Sequence, residues 1–566
     1  MKEQVTEEFK NKFPEIDEIV LQLLYDRQLD SQEKIDEFLN PDYSQDIHDP
    51  FLFQDMPAAV ERVYQAIEKK EKITVHGDYD ADGVSGSAIL VSSLKRLGAD
   101  VDVYIPHREK DGYGINAKTV EFLHQQKTDL IITTDCGISN KAEIDKAQDL
   151  GMEVIVTDHH HIPPEIPDCL IINPQLETDN YPFKYLAGSG VAFKLVQGLL
   201  KRKKDADDSL DWEAFEKWLL DLVALGTVAD LMPVLGENRT LIKYGLVVLN
   251  KTKRVGLKKL LELAGLNYNS LLNTYNLAFQ IGPRINAAGR VDHASTAYQL
   301  LLTDNQSEAN QLADQLEKNN KDRQVLTERI INEAKQQIEP FNKEQKLIFV
   351  YGEDWPLGVV GLVAGRLSQE YHRPAFALGQ SQGQISGSGR SIPEFDCIES
   401  LEKINHLFAR YGGHAAACGF TLAKNDELAR LKTELSQIAE KELAGKDLKP
   451  RLVIDAEIKF SSVNWDLIEE LSKFEPYGQK NPRPVFASYQ VKVVGLETVG
   501  QDNQHLKLIL TQDNGIVRKA IGFCFGDWCS KIKAGDLIDI VYSVEINEWN
   551  GNREIQLKLE DLKLSH

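Results

Sequence analysis

The 566-residue chain has no apolar run of the roughly 18 residues that a membrane-spanning helix needs. Its opening MKEQVTEEFKNKF lacks the apolar core of a secretory signal. Both absences give the expectation of a cytoplasmic protein with no membrane role. The six cysteines (Cys136, Cys169, Cys397, Cys418, Cys524, Cys529) form no CxxC pair, which argues against a zinc knuckle or a disulfide framework and fits reduced thiols. Positive charge is short: 65 Lys and Arg face 87 Asp and Glu, for a net charge of −22. That balance excludes a protein that coats itself in nucleic acid. A nuclease survives it, because steering depends on the local field and an acidic pocket can adjoin a basic groove. Internal repeats and low-complexity linkers are also lacking, so solenoid and disordered classes drop out.

The apolar share of 42% and charged share of 27% are those of a globular protein, and the length implies about three or four domains. Three short apolar segments in the first 160 residues run straight into acids or histidines: Ile73–Val75 into HGDYDADG, Leu130–Thr134 into Asp135, and Val154–Thr157 into Asp158-His159-His160. Strand-length β-branched runs alternate here with helical spacing at Val84–Leu97, Ala117–His124 and Lys141–Leu150, which predicts β-α-β-α-β. Ligands of such a sheet bind beyond the carboxyl ends of its strands, where these ionisable groups fall. Carboxylates crowded there repel one another unless cations neutralise them, so the pattern predicts bound metal.

The spacing of Asp78, Asp80 and Asp82 puts all three on one side of an extended turn. A calcium loop of the EF-hand type is excluded, because Ile89 stands where its glutamate belongs and a strand precedes. Mixed imidazole and carboxylate donors suit two hard divalent ions, manganese preferred and magnesium also suitable. Asp135, on the strand expected between the other two, is the candidate bridge. Two ions about 3.5–4 Å apart can acidify a shared water and stabilise the attacking and leaving oxygens of phosphoryl chemistry.

Further along, a helix over Trp212–Thr227 leads to Asp230, and Ser307–Ile338 carries the spacing of one long, mostly exposed helix. A second α/β module begins at Lys346. Within it GSGRS, with Ser388, Gly389 and Arg390, offers close backbone approach and a guanidinium fork for phosphate. Gly412-Gly413-His414 precedes an alanine run, predicting a helix N-terminus with His414 beside it. Arg108 could bind a 5′-phosphate and Tyr113 could stack on a base. Six short strands beyond Lys449, with a turn at Trp549–Asn552, predict a small closed barrel of the OB type.

HGDYDADG, TTDCG, TDHH and GTVADLMP resemble, in order, the motifs of the DHH phosphoesterases. GRVDHAS, SGSGRS and YGGHAAACGF resemble the associated substrate-binding module, and PYGQKNPRPVF is similar to the entry into the OB domain of that family's single-strand-specific 5′→3′ exonucleases. The resemblance covers nearly the whole chain. It implies an α/β architecture: a parallel-sheet DHH module, a long connecting helix, a smaller α/β DHH-associated module and a C-terminal OB-type β-barrel. The expected boundaries are a helical lead-in at 1–70, the DHH catalytic domain at 71–304, the connecting helix at 305–340, the DHH-associated domain at 341–447 and the OB domain at 448–566.

By the same resemblance His76, Asp80 and Asp135 would hold one metal, and Asp82, Asp135, His159 and Asp230 the other. Asp78 and Asp158 would orient the ligands, His160 would face the scissile phosphate, and Arg290 would contact the nucleic acid backbone. The implied activity is metal-dependent hydrolysis of single-stranded DNA from the 5′ end to 5′-mononucleotides, in repair and recombination. A single-stranded-DNA-binding protein and a RecQ-type helicase are the implied partners, and the chain is expected to be monomeric. The rivals are a DHH phosphodiesterase of oligoribonucleotides, cyclic dinucleotides or nucleotide 3′-phosphates, and a catalytically silent replication scaffold. Lys480, Arg483, Arg518, Lys519 and Trp549 are the candidate barrel contacts to the strand.

Overall fold

The computed structural model describes residues 2–206, 211–266, 271–342, 344–512, 515–549 and 551–565. The chain forms two compact units. The larger comprises Asp49–Asp230 and Gly245–Pro450; the smaller joins Met1–His48, Leu231–Tyr244 and Arg451–His566. No helix among the described residues is long and apolar enough to cross a membrane.

The larger unit holds two sheets. In the first, β1 (Lys72–His76), β2 (Asp100–Tyr104), β3 (Leu130–Thr134), β4 (Glu153–Thr157) and β5 (Leu170–Ile172) are all parallel, in the order β2-β1-β3-β4-β5. β3 is buried at every position and β4 at all but its first, the unbroken apolar pattern of strands covered on both faces. β3 lies between β1 and β4, as the bridging role expected of Asp135 requires. The second sheet is mixed: β6 (Ile348–Tyr351), β7 (Ala375–Ser381), β8 (Gln384–Arg390), β9 (Phe408–His414) and β10 (Ala417–Leu422) take the order β6-β7-β8-β10-β9. Between the sheets in sequence runs the helix Gln306–Ile338, whose 33 residues match the expected long helix. It is less exposed than its polar sequence suggests, since Asn319 and Asn320 are buried beside Leu316 and Ile330. The expected helix Trp212–Thr227 is two helices, Trp212–Trp218 and Leu220–Ala229.

The smaller unit is built on a barrel of β12 (Phe486–Val499), β13 (His505–Gln512), β14 (Ile516–Gly522), β15 (Leu537–Trp549) and β16 (Asn552–Leu564), preceded by the two-residue β11 (Ala456–Glu457). Pairing of β12 with β15 closes it. Four of its strands are longer than predicted, the first shrinks to β11, β14 stops at Gly522 short of the expected Phe525, and Asn550 of the expected turn lies outside the described residues. The first 48 residues contribute Phe9, Leu24 and Phe38 to one core with Phe460, Phe474, Leu508 and Tyr542. Arg239, 1% exposed, locks this core: it donates to the carbonyls of Phe38, Lys473, Phe474, Glu475 and Pro476 at 2.7–3.2 Å. A buried guanidinium is tolerated there because its donors meet backbone acceptors.

Candidate metal centre and nucleic-acid interface

Four separate chain segments bring acids and histidines to the carboxyl edge of the parallel sheet. Beyond β1, Asp80 caps the helix Ala81–Arg96, accepting the N–H groups of Asp82 (2.9 Å) and Gly83 (3.1 Å). Asp82 is therefore helical and does not share an extended turn with Asp78 and Asp80, because capping the free N–H groups bends the chain into the helix at once. The Asp82 carboxylate accepts from Gly188 (2.6 Å) and Ser189 (3.0 Å), the first residues of the helix Gly188–Ala206. This anchor was not anticipated; the small-residue run LAGSG ahead of an apolar helical pattern is its sequence signal. Gly188 has no room for a side chain, since a Cβ would lie 2.5 Å from that of Asp135. Asp135 follows β3 at φ 62°, a left-handed conformation that a residue other than glycine adopts at a cost and that often marks a functional site. Asp230 enters as the C-cap of Leu220–Ala229.

The ligand atoms converge. Asp78, Asp80 and Asp135 lie within 4.8 Å of one another, as do Asp82, His159 and Asp230, and Asp135, His159 and His160. His159 Nε2 is 3.1 Å from Asp135, 3.6 Å from Asp230 and 4.0 Å from Asp82. Burial, then mutual repulsion, pushes the carboxyls of Asp78, Asp135 and Asp230 well above the usual range and that of Asp82 up to about 6. Burial lowers His159 to about 3 and His76 to about 4. Asp78 Oδ1 and His76 Nε2 are buried without any hydrogen-bond partner, and Asp135 Oδ1 and His159 Nε2, though 3.1 Å apart, make no aligned hydrogen bond. Neutral imidazoles and crowded, unpaired carboxylate oxygens form a donor set that fits hard divalent cations. His76 lies at the floor of this edge, its Nδ1 3.6 Å from Cys136 Sγ.

Asp158 is turned away from the cluster. It accepts the N–H groups of Ile138, His159 and His160 and binds His160 Nδ1 at 2.8 Å. Although burial opposes ionisation, the hydrogen bond and charge of His160 hold the Asp158 carboxyl below its usual range, and the same pair raises His160 to about 9 despite burial. Tyr113 is 45% exposed, but its hydroxyl points inward, donating to the Asp135 carbonyl at 3.0 Å and lying 3.1 Å from His160 Nδ1. The sequence points only to the Tyr113 ring; the hydroxyl contacts depend on a carbonyl and an imidazole from other segments. His161 packs its ring 5.0 Å from that of His414.

The expected phosphate grips come from different structures than predicted. GSGRS is no turn: it lies in β8, where Gly387 and Gly389 face Phe420, Leu378, Phe376 and Cys418 so closely that any Cβ would clash. Ser388 and Arg390 consequently project from the opposite face, towards Gly361 of the helix Leu357–Tyr371. No helix begins at Gly412; residues 408–422 form the hairpin of β9 and β10, its turn fixed by the Ala415 and Ala416 carbonyls, which accept from Cys397 and Ser391. His414 thus ends a strand, and burial lowers its pKa. Arg290 donates to the Gly358 carbonyl at 2.8 Å, and burial with nearby Arg108, Arg323 and Arg390 lowers it to about 9. Arg108 lies over the Tyr79 ring at 4.7 Å.

Of the barrel candidates, Arg518 is spent on the Phe460 and Val463 carbonyls, Lys519 pairs with Glu554 at 2.6 Å, and Arg483 lies over the Tyr477 ring. Lys480 takes a left-handed conformation, and the Trp549 side chain lies outside the described residues.

Residues 72–227 match the DHH family N-terminal domain, 344–441 the DHHA1 domain and 454–561 the RecJ OB domain. The single-stranded-DNA-specific exonuclease RecJ of Bacillus subtilis is 36% identical over 550 residues, covering 97% of this chain and 68% of that protein. RecJ from Thermus thermophilus in complex with Mn2+ superposes with a TM-score of 0.83 at 30% identity over 99% of this chain and 78% of that one. Its complex with Mg2+ gives 0.75 at 28%, over 99% and 76%. The chain belongs to the RecJ family, with a DHH domain, a DHHA1 domain and a RecJ OB domain in that order.

Proposed function

We propose that the chain is a metal-dependent exonuclease that hydrolyses single-stranded DNA from the 5′ end to 5′-mononucleotides, in repair and recombination. One observation carries this reading: a buried cluster of mutually repelling acids lies in the same compact unit as a set of arginines whose charges act on one another. The first arrangement calls for divalent cations and the second for a polyanion. His76, Asp80 and Asp135, with Asp78 in the same cluster, would hold one ion. Asp82, Asp135, His159 and Asp230 would hold the other. Mn2+ or Mg2+ bound there supplies Lewis-acid stabilisation of charge developing on the phosphate oxygens and a more acidic water.

The protein's own groups do the rest. Asp158 orients the His160 ring and keeps its imidazole charged to donate to the phosphate. Tyr113 steadies His160, while Arg108, Arg290, Ser388, Gly389, Arg390 and His414 grip the strand. The chain would act in the cytoplasm as a monomer, with a single-stranded-DNA-binding protein and a RecQ-type helicase as partners; its six free thiols fit a reducing compartment. Digestion of a DNA strand labelled at either end, single- or double-stranded, with Mn2+ or Mg2+, tests the reading. Release of labelled mononucleotide from the 5′ end of single strands alone is expected; release from the 3′ end or from duplex contradicts it.

A further inference from the structure

Two large aromatic side chains stand in water on a helix that borders the acid cluster. Tyr275 and Phe279 are 62% and 63% exposed, with ring centroids 4.8 Å apart and planes inclined by 36°. Single exposed aromatics are common on protein surfaces, but an adjacent pair leaves in water an apolar area whose burial is favourable. The backbone beneath them is also irregular: Leu277–Ile281 is a π-helical turn between Thr274–Asn276 and the helix Gly282–Val291. Such turns concentrate at functional sites.

The run is pinned to the site at two places. A Cβ on Gly282 would lie 3.4 Å from that of Ala229, the residue before Asp230. Farther on, Asn286 Oδ1 accepts the Ala81 N–H at 2.7 Å, and Gly289 abuts the Tyr79 carbonyl. Arginines continue from the aromatic pair along the same run. Arg284 follows Phe279, and its charge acts on Arg323 of the long helix; Arg290 in turn feels the charges of Arg108, Arg323 and Arg390. Glu317 matches Arg284 at 2.7 Å, whereas Arg323 Nε is buried without an acceptor. Cationic side chains on a run that also carries two exposed rings offer contacts for both the phosphates and the bases of a single strand.

We propose that Tyr275 and Phe279 form a stacking platform for bases of the single strand several nucleotides from the bond being cut, with Arg284 and Arg323 holding intervening phosphates. The inference rests on the single-strand exonuclease reading. Stacking tolerates any base, so it suits a nuclease without sequence preference. From Phe279 to Arg290 the helical rise is about 16 Å, so a dinucleotide held near Arg290 would not reach the rings and a longer strand would.

The test compares wild type with Tyr275→Ala, Phe279→Ala and the double variant, each checked for an unchanged thermal melt. Substrates are a 5′-phosphorylated dinucleotide and a strand of about 20 nucleotides, with 2-aminopurine at successive positions to report stacking. The double variant should raise KM and Kd for the long strand roughly 5- to 100-fold, lose 2-aminopurine quenching at one internal stretch and leave dinucleotide hydrolysis unchanged. Phe279→Trp should keep the long-strand affinity. Unchanged handling of the long strand, as for a platform that instead meets a protein, overturns the proposal, and so does equal loss on the dinucleotide. If wild type leaves every single strand intact, the exonuclease reading itself fails, which is a different result.

Discussion

The acidic edge of the parallel sheet and the arginines beside the mixed sheet both crowd like charges, yet they hold them differently. Asp80, Asp82 and Asp158 are clamped by backbone N–H groups at helix starts and turns, and their neighbours' oxygens are buried without partners. Arg290 and Arg390 instead donate to the carbonyls of Gly358 and Gly389, and come from a helix and a strand in separate stretches of chain. The acids form compact groups whose ligand atoms lie within 4.8 Å of one another. The arginines are spread along a path. Chemistry should therefore fail when one acid is lost, whereas binding should weaken by degrees as arginines are removed.

The largest effect expected is from Asp135→Ala, which removes the carboxylate common to two of the ligand groups. Turnover should fall at least about a thousandfold, with the fold and strand binding retained. Near-normal turnover would remove Asp135 from the metal centre and undo the comparison at its acidic end. Arg390→Ala should raise KM about 10- to 100-fold while changing kcat far less, since a charge-assisted contact of this kind contributes about 1.5–3 kcal/mol. A loss confined to kcat would mean that the arginine acts on the chemistry, erasing the distinction drawn above.

The acidic edge was far more legible in the sequence than the arginine face, and the reason is local. His76, Asp135 and Asp158 each end a run of β-branched residues, so strand, edge and ligand are written contiguously. GSGRS and GGHAAA carry the same letters whether they form turns, caps or strands. What decides is the ring of Phe376 or Phe420 beneath Gly389 and Gly387, supplied from other strands, and no local pattern records it. The Tyr113 hydroxyl was hidden for a related reason, because its acceptor is a backbone carbonyl that follows β3. Arg239 shows the same limit in the smaller unit, where it reads as one polar residue in a helix although five carbonyls await it.

Removing metal should sharpen the contrast through pH. Asp78, Asp135 and Asp230 have carboxyls raised well above their usual value, and His160 is raised to about 9. Groups raised on folding stabilise below their unfolded pKa and lose that contribution as pH climbs through the folded one. Below about pH 6.5, His76 and His159 act with the opposite sign because folding lowers them, so the clean window is about 6.5 to 9. Metal-free protein should lose melting temperature across that window, and saturating Mg2+ should flatten the slope. A metal-free melting curve insensitive to pH there would mean that the acids are compensated from within the protein.

Tyr113→Phe is the subtlest test, since it removes one oxygen and keeps the ring. If the hydroxyl steadies His160 and the Asp135 backbone, as its 3.1 and 3.0 Å contacts suggest, kcat should fall by under about tenfold with KM unchanged, a loss near 1 kcal/mol for one hydrogen bond. If the ring serves as a base platform, Tyr113→Phe should be silent and Tyr113→Ala should raise KM. The two variants measured together assign the residue to the compact cluster or to the distributed path, because a ring 45% exposed with its hydroxyl turned inward belongs geometrically to both.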